Sequence, residues 1–100
     1  MRTHKISVTV DQNAIRVEPD ELTMWAVDEV HWAGMNPRKF TIVFDGKGPF
    51  VNRELAHAVA HGKHRPQAKG RFKYTVVSEE NPSLKLDPVI IVDEPPSTTT

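Results

Sequence analysis

The sequence predicts an all-β fold: a β-sandwich of two packed sheets that carries one short helix. Short segments of alternating apolar and polar residues recur along the chain, and Gly, Pro, Asn or Asp residues separate them. A period of two is typical of strands that bury one face, and frequent turn signals are typical of sandwiches. A chain of 100 residues suits one domain. We therefore expect a single domain at residues 1–93 and a disordered tail at residues 94–100.

The first third of the chain predicts four short strands. Residues 6–10 alternate strictly, which is the period of a half-buried strand. Residues 15–17 continue this pattern until Pro19, which lacks the N–H group that a central strand needs. Two further strands are expected at residues 22–24 and 30–32.

Three stronger strands are expected in the rest of the chain. Residues 40–44 are β-branched or aromatic throughout and end at Asp45-Gly46. The strand period returns at residues 72–77. Residues 89–92 form an apolar run that suits a strand buried on both faces.

One helix is expected between these strands, at residues 52–62. Asn52 is a good N-cap, the alanines favour helix, and Gly62 suits a left-handed position after the last turn. Leu55 and Val59 stand four residues apart and form the predicted buried stripe. Because so short a helix is unstable alone, it must pack on the sheets.

The composition excludes several kinds of chemistry. The chain has no cysteine, so it has no disulfide, no thiolate metal site and no thiol nucleophile. Thirteen basic residues balance thirteen acidic ones, so no overall field indicates a nucleic acid or a membrane as the partner. The segment from Arg53 to Lys73 is locally basic, and a solvated face is the expected explanation. No apolar leader follows Met1, and we expect a cytoplasmic protein.

Several motifs follow one another in a recognisable order. Residues 17–24 read V-x-P-x-x-L-x-M, and an acidic turn precedes a strand that ends in an aromatic residue at 28–32. An asparagine-containing loop then leads to I-V-F-D at 42–45, and G-x-F-x-Y at 70–74 precedes the valine-rich strand at 88–92. This order resembles the cupredoxins, the family of plastocyanin and azurin, over residues 4–93. The resemblance implies an antiparallel Greek-key β-sandwich, here with an inserted helix.

The resemblance also implies where copper ligands would lie, and none of those positions keeps the family's ligand. Blue copper needs two imidazoles, a thiolate and usually a weak thioether. The first histidine position is Phe40, the cysteine position is Val76, the second histidine position lies near Glu79, and the methionine position lies near Leu84 or Leu86. We therefore expect no type 1 copper site and no blue-copper electron transfer.

The candidate metal ligands are His57, His61 and His64. The first two lie on one face of the predicted helix, and the third follows shortly after it. Imidazole donors suit Zn²⁺, Ni²⁺ or Cu²⁺. Ala58 stands where a zinc hydrolase helix has glutamate, so hydrolysis is not expected. The alternatives are a solvent-facing helix side that binds nothing, and a proton-linked switch, since imidazoles titrate near neutral pH.

No arrangement for catalysis is apparent. The serines lack a G-x-S-x-G context, and no glycine-rich phosphate loop follows a strand. We therefore expect a copper-free binding module without a resident cofactor, whose partner is another protein. Arg38, Lys39 and Arg53 are the candidate contact residues. The alternative function is divalent metal binding through the histidines.

Overall fold

The structure is a computed structural model that describes residues 1–94. Within that range it contains nine strands and one short helix in two sheets, which confirms the predicted β-sandwich. The strands are β1 (Thr3–Val10), β2 (Ile15–Glu18), β3 (Glu21–Trp25), β4 (Glu29–Gly34), β5 (Phe40–Phe44), β6 (Glu54–Leu55), β7 (Gly70–Ser78), β8 (Lys85–Leu86) and β9 (Val89–Asp93), and the helix is α1 (His57–Ala60).

The strand order mixes parallel and antiparallel neighbours. One sheet has the order β2-β1-β4, and the other has the order β3-β9-β7-β5-β6, with β8 also paired to β7. β1 runs parallel to β4, and β3 runs parallel to β9. The sheets are therefore mixed, whereas the sequence predicts antiparallel ones. After β2 the chain crosses to the second sheet and forms β3. It then returns to the first sheet as β4, which runs in the same direction as β1. Alternation reports only which face a residue buries, so it could not show these directions.

The core is formed by the inward faces of both sheets. Fully buried residues of the first sheet include Ile6, Val8 and Val30, and those of the second include Ile42 and Ile90. An aromatic group lies between them, consisting of Trp32, Phe44, Phe50 and Tyr74. Burying each such side chain contributes roughly 1.5–3 kcal/mol to folding.

The helix is shorter than the sequence predicts, because the first half of the predicted segment joins a sheet. Glu54 pairs with Val43, and Leu55 pairs with Ile42, so these residues extend the edge of β5. Helix propensity is weak enough for such pairing to override it. The predicted helix at 52–62 is therefore wrong except at His57–Ala60.

The predicted helix ends are also wrong. Ala56, rather than Asn52, precedes the first helical residue and makes no side-chain cap. Gly62 is not among the glycines with positive φ. Val59 is 47% exposed and does not form the expected buried stripe. Ala60 is the buried residue of the short helix.

The predicted tail at 94–100 lies outside the described residues except for Glu94. The carboxylate of Glu94 lies 2.8 Å from the Nζ atom of Lys69. Within residues 1–94, no helix has the length and apolar character needed to cross a membrane.

Candidate functional site

One end of the sandwich gathers most of the predicted site residues, and we call it the Phe40 end. It consists of Gly34 at the end of β4, the 35–39 loop, Phe40 at the start of β5, and the histidines that begin and follow α1, His57 and His61. Phe40 is fully buried and is paired with Ser78 of β7. The N–H group of Glu79 donates to the carbonyl of Lys39, which ties the end of β7 to the loop.

Of the positions implied by the family resemblance, Phe40 and Val76 lie on the neighbouring strands β5 and β7, and Glu79 directly follows β7. Val76 is fully buried between Ile42 and Leu86, its partners on β5 and β8. Phe40 lies two residues from Ile42 on the same buried face, while Glu79 is exposed. The correspondence of these positions to copper ligands stays a prediction.

His57 packs on Phe40 and accepts a hydrogen bond from it. The ring centroids are 4.7 Å apart at an interplanar angle of 75°. The Nδ1 atom of His57 lies 3.2 Å from the main-chain nitrogen of Phe40, which donates to it. Burial lowers the pKa of His57, and the charges of His61 and Lys39 lower it further, while Glu79 acts in the opposite direction. These influences favour the neutral ring that the hydrogen bond requires.

His61 uses both ring nitrogens in hydrogen bonds with the main chain. Its Nε2 atom accepts from the N–H group of Gly34 at 3.1 Å. Its Nδ1 atom donates to the carbonyl of His57 at 2.7 Å. The two rings are 4.5 Å apart, although His61 follows α1 rather than belonging to it.

His64 lies apart from this pair. Its Nε2 atom donates to the carbonyl of Val59 at 2.8 Å, and its main chain bridges to Val30. Its ring contacts Trp32 and Phe50 rather than Phe40. Among the residues that the structure describes, no three His, Cys, Asp or Glu side chains form a group that could hold a metal ion. The structure therefore gives the metal hypothesis no support.

The three predicted contact residues do not form one surface. Arg38 and Lys39 lie in the loop at the Phe40 end, and the Nη1 atom of Arg38 is 3.6 Å from a carboxylate oxygen of Glu80. The predicted helix at 52–62 would carry Arg53, and this placement is wrong because α1 begins at His57. It lies at the far end of β5, where its Nε atom donates to the carbonyl of Phe44 at 2.9 Å. Because β6 runs antiparallel to β5, residues before Glu54 lead away from Phe40.

A buried carboxylate that the sequence did not single out lies at the opposite end of the sandwich. Asp28 accepts hydrogen bonds from the N–H groups of Arg2 and Trp25, and its Oδ2 atom is 2.9 Å from the Nε2 atom of His4. Burial raises the pKa of Asp28, but the hydrogen bonds from His4, Arg2 and Trp25 outweigh this and hold the pKa at about 2. The sequence showed only an acidic turn, because two of these donors lie more than twenty residues upstream.

A cleft of about 660 Å³ opens beside β2, and it too was not predicted. Residues 15–21 and 86–89 line it. Four of the lining residues are acidic (Glu18, Asp20, Glu21 and Asp87), and one is basic (Arg16). The sequence of these residues indicates only strand ends and turns, and neither predicts a cleft.

With this geometry established, comparison with known proteins identifies the fold. No family model and no curated protein matches the sequence. Among solved structures, the chain is similar to a pseudoazurin from Sinorhizobium meliloti, with a TM-score of 0.65 and 15% sequence identity. The match covers 95% of this chain and 76% of that chain. The fold is cupredoxin-like. The resemblance noted in the order of the motifs is thus confirmed at the level of the fold.

Proposed function

We propose that this chain is a copper-free cupredoxin-like module that recognises another protein through Arg38 and Lys39 at the Phe40 end. The observation that carries the proposal is the full burial of Phe40 beneath the rings of His57 and His61. Packed rings at this end leave a surface rather than a coordination pocket. The function is binding rather than catalysis or electron transfer.

The charges around this surface favour an acidic partner. Lys39 is exposed and makes no ion pair with any residue from 1 to 94. The pair between Arg38 and Glu80 is long and open to solvent, and such pairs contribute only about 0–1 kcal/mol. A carboxylate on the partner can therefore replace Glu80 at little cost.

The main chain beneath these two side chains is held in place. The carbonyl of Lys39 accepts from the N–H group of Glu79, and the N–H group of Phe40 donates to His57. A loop that is already ordered loses less conformational freedom on binding. This preorganisation supports recognition by a fixed surface.

The proposal is tested with a double charge reversal, Arg38→Glu with Lys39→Glu. The matched control is Arg71→Glu with Lys73→Glu, which changes the same two residue types at exposed positions of β7. Immobilised protein is used to capture partners from a lysate of the source organism, and the captured protein is identified by mass spectrometry. Its binding to each variant is then measured by calorimetry at low and high salt.

We expect the identified partner to be acidic, to bind the control variant as it binds the native protein, and to lose at least about tenfold in affinity for the Arg38 and Lys39 variant. Added salt should weaken native binding, since the contacts are between exposed charges. Equal affinity for both variants, or the absence of any captured protein, would reject the proposed surface.

A further inference from the structure

Two imidazoles, one on α1 and one directly after it, accept hydrogen bonds from the main chain at both ends of one loop. His61 accepts at Nε2 from Gly34, the residue before the 35–39 loop. His57 accepts at Nδ1 from Phe40, the residue after it. The helix is therefore fastened to both ends of the loop through the unprotonated nitrogens of two titratable rings.

We propose that His57 and His61 form a proton-sensitive latch, which holds α1 on the 35–39 loop at neutral pH and releases it in mildly acidic solution. An imidazolium ring carries a proton on both nitrogens and can only donate. Protonation would thus turn each accepting nitrogen into a donor that faces the N–H group of Gly34 or Phe40. His61 cannot exchange its two nitrogens, because Nδ1 already donates to the carbonyl of His57.

The latch releases the helix rather than the loop. The side-chain nitrogen of Asn36 donates to the carbonyl of Val10 at 2.8 Å, and the N–H group of Met35 donates to the carbonyl of Val8. These bonds hold the loop to β1 and involve no group that titrates near neutral pH. The helix has only four residues and no side-chain cap at its start, so it has little stability of its own.

The charged groups around the latch come from several elements. Lys39 and the neighbouring imidazole oppose protonation of His57, and Glu79 favours it. Of the strands packed against α1, β5 has no ionisable side chain, β6 has Glu54, and β4 has Glu29 and His31. Arg38 and Glu80 are paired with each other on the loop side. The two rings are 4.5 Å apart, so a charge on one ring disfavours a charge on the other.

The first test reads the ring protonation directly by ¹⁵N NMR of the imidazoles. At pH 7.5 the proton of His57 should lie on Nε2 and that of His61 on Nδ1, as the two accepting nitrogens require. Opposite tautomers, or two charged rings at this pH, would contradict the latch.

The second test is amide hydrogen exchange, which reports local opening. The protection factors of the Gly34 and Phe40 amides should fall at least about tenfold between pH 7.5 and pH 5. The amides of Tyr74 and Val89 are the internal controls, since they donate to the carbonyls of Pro88 and Asp20 and should keep their protection.

A matched variant removes the titration but keeps the acceptors. In His57→Asn the amide oxygen takes the place of Nδ1, and in His61→Gln it takes the place of Nε2. In the double variant, the Gly34 and Phe40 amides should keep their protection at pH 5. If they lose protection in this variant as in the native protein, or if the native protein shows no selective loss, the proposal is wrong.

Discussion

The Nε2 atom of His4 lies 2.9 Å from the Oδ2 atom of Asp28, and Asp28 is only 1% exposed. The same carboxylate accepts from the N–H groups of Arg2 and Trp25. One buried charge thereby joins the start of β1 to the turn between β3 and β4. Since a buried carboxylate is costly unless it is fully hydrogen-bonded, this end of the sandwich depends on the complete set of donors.

Replacing Asp28 with asparagine should lower the free energy of unfolding by about 1–3 kcal/mol. The NH₂ group of asparagine can only donate, so one group that donates to the Asp28 carboxylate would lose its acceptor. Urea denaturation followed by tryptophan fluorescence measures this loss. Asp45→Asn is the control, at an exposed position where substitutions typically change stability by less than about 0.5 kcal/mol. Equal losses in the two variants would show that the bonds to Asp28 do not stabilise the fold.

The depressed pKa of Asp28 also predicts a pH dependence. The folded protein holds this pKa at about 2, whereas the unfolded chain takes up the proton near 3.8. The unfolded state therefore binds more protons in this window, and the stability from Asp28 is lost as pH falls from about 4 to 2. Acid titration of native protein and of Asp28→Asn should show a shallower loss of stability for the variant. Parallel curves would contradict the depressed pKa.

Tyr74, the single tyrosine, should resist ionisation in the folded protein. Burial raises its pKa, which the hydrogen bond from the Trp32 indole N–H lowers only in part. The unfolded chain ionises near pH 10.0, so stability is lost as pH rises above that value. The ultraviolet absorption of phenolate should appear together with unfolding. Phenolate absorption in a protein that is still folded at pH 10.5 would be the opposite result.

Gly48 should tolerate no side chain. Its φ is +65°, and an added Cβ atom would lie 2.6 Å from the Cβ atom of Phe44, a fully buried residue. Gly46 is the matched control, because its φ is +61° but no atom lies within 4 Å of an added Cβ. Gly46→Ala should cost about 1–2 kcal/mol through its backbone alone. Gly48→Ala should lower the free energy of unfolding by clearly more, as measured by thermal or urea unfolding. Equal losses of stability in the two variants would show that Phe44 moves aside freely.

The strands were predictable because their signal is local. Residues 6–10 and 40–44 alternate or are β-branched, and each is a strand in the structure. The helix boundary was not predictable, since Glu54 and Leu55 follow their pairing with β5 rather than their own propensity. No pattern within a window of residues can show which open edge a segment will join.

For the candidate site, the sequence predicts which residues take part but not which groups they bond to. The spacing of His57 and His61 predicts neighbouring rings, and in the structure the two rings are 4.5 Å apart. Their nitrogens, however, bond to main-chain groups of Phe40 and Gly34, which are 17 and 27 residues away. A histidine spacing contains no information about such donors, and so a metal pair and a latch have the same pattern in sequence.

The position of β9 has a consequence for how the chain is made. β3 pairs with β9, and β9 in turn pairs with β7, so a strand that follows both of them in sequence joins the two parts of the sheet. Until residues 89–93 have left the ribosome, β3 lacks its neighbour, and the buried side chains of Leu22 and Met24 lie in an incomplete sheet. The larger sheet therefore closes only after residues 89–93 have been made, and a nascent chain halted before Val89 would present open strand edges to its surroundings.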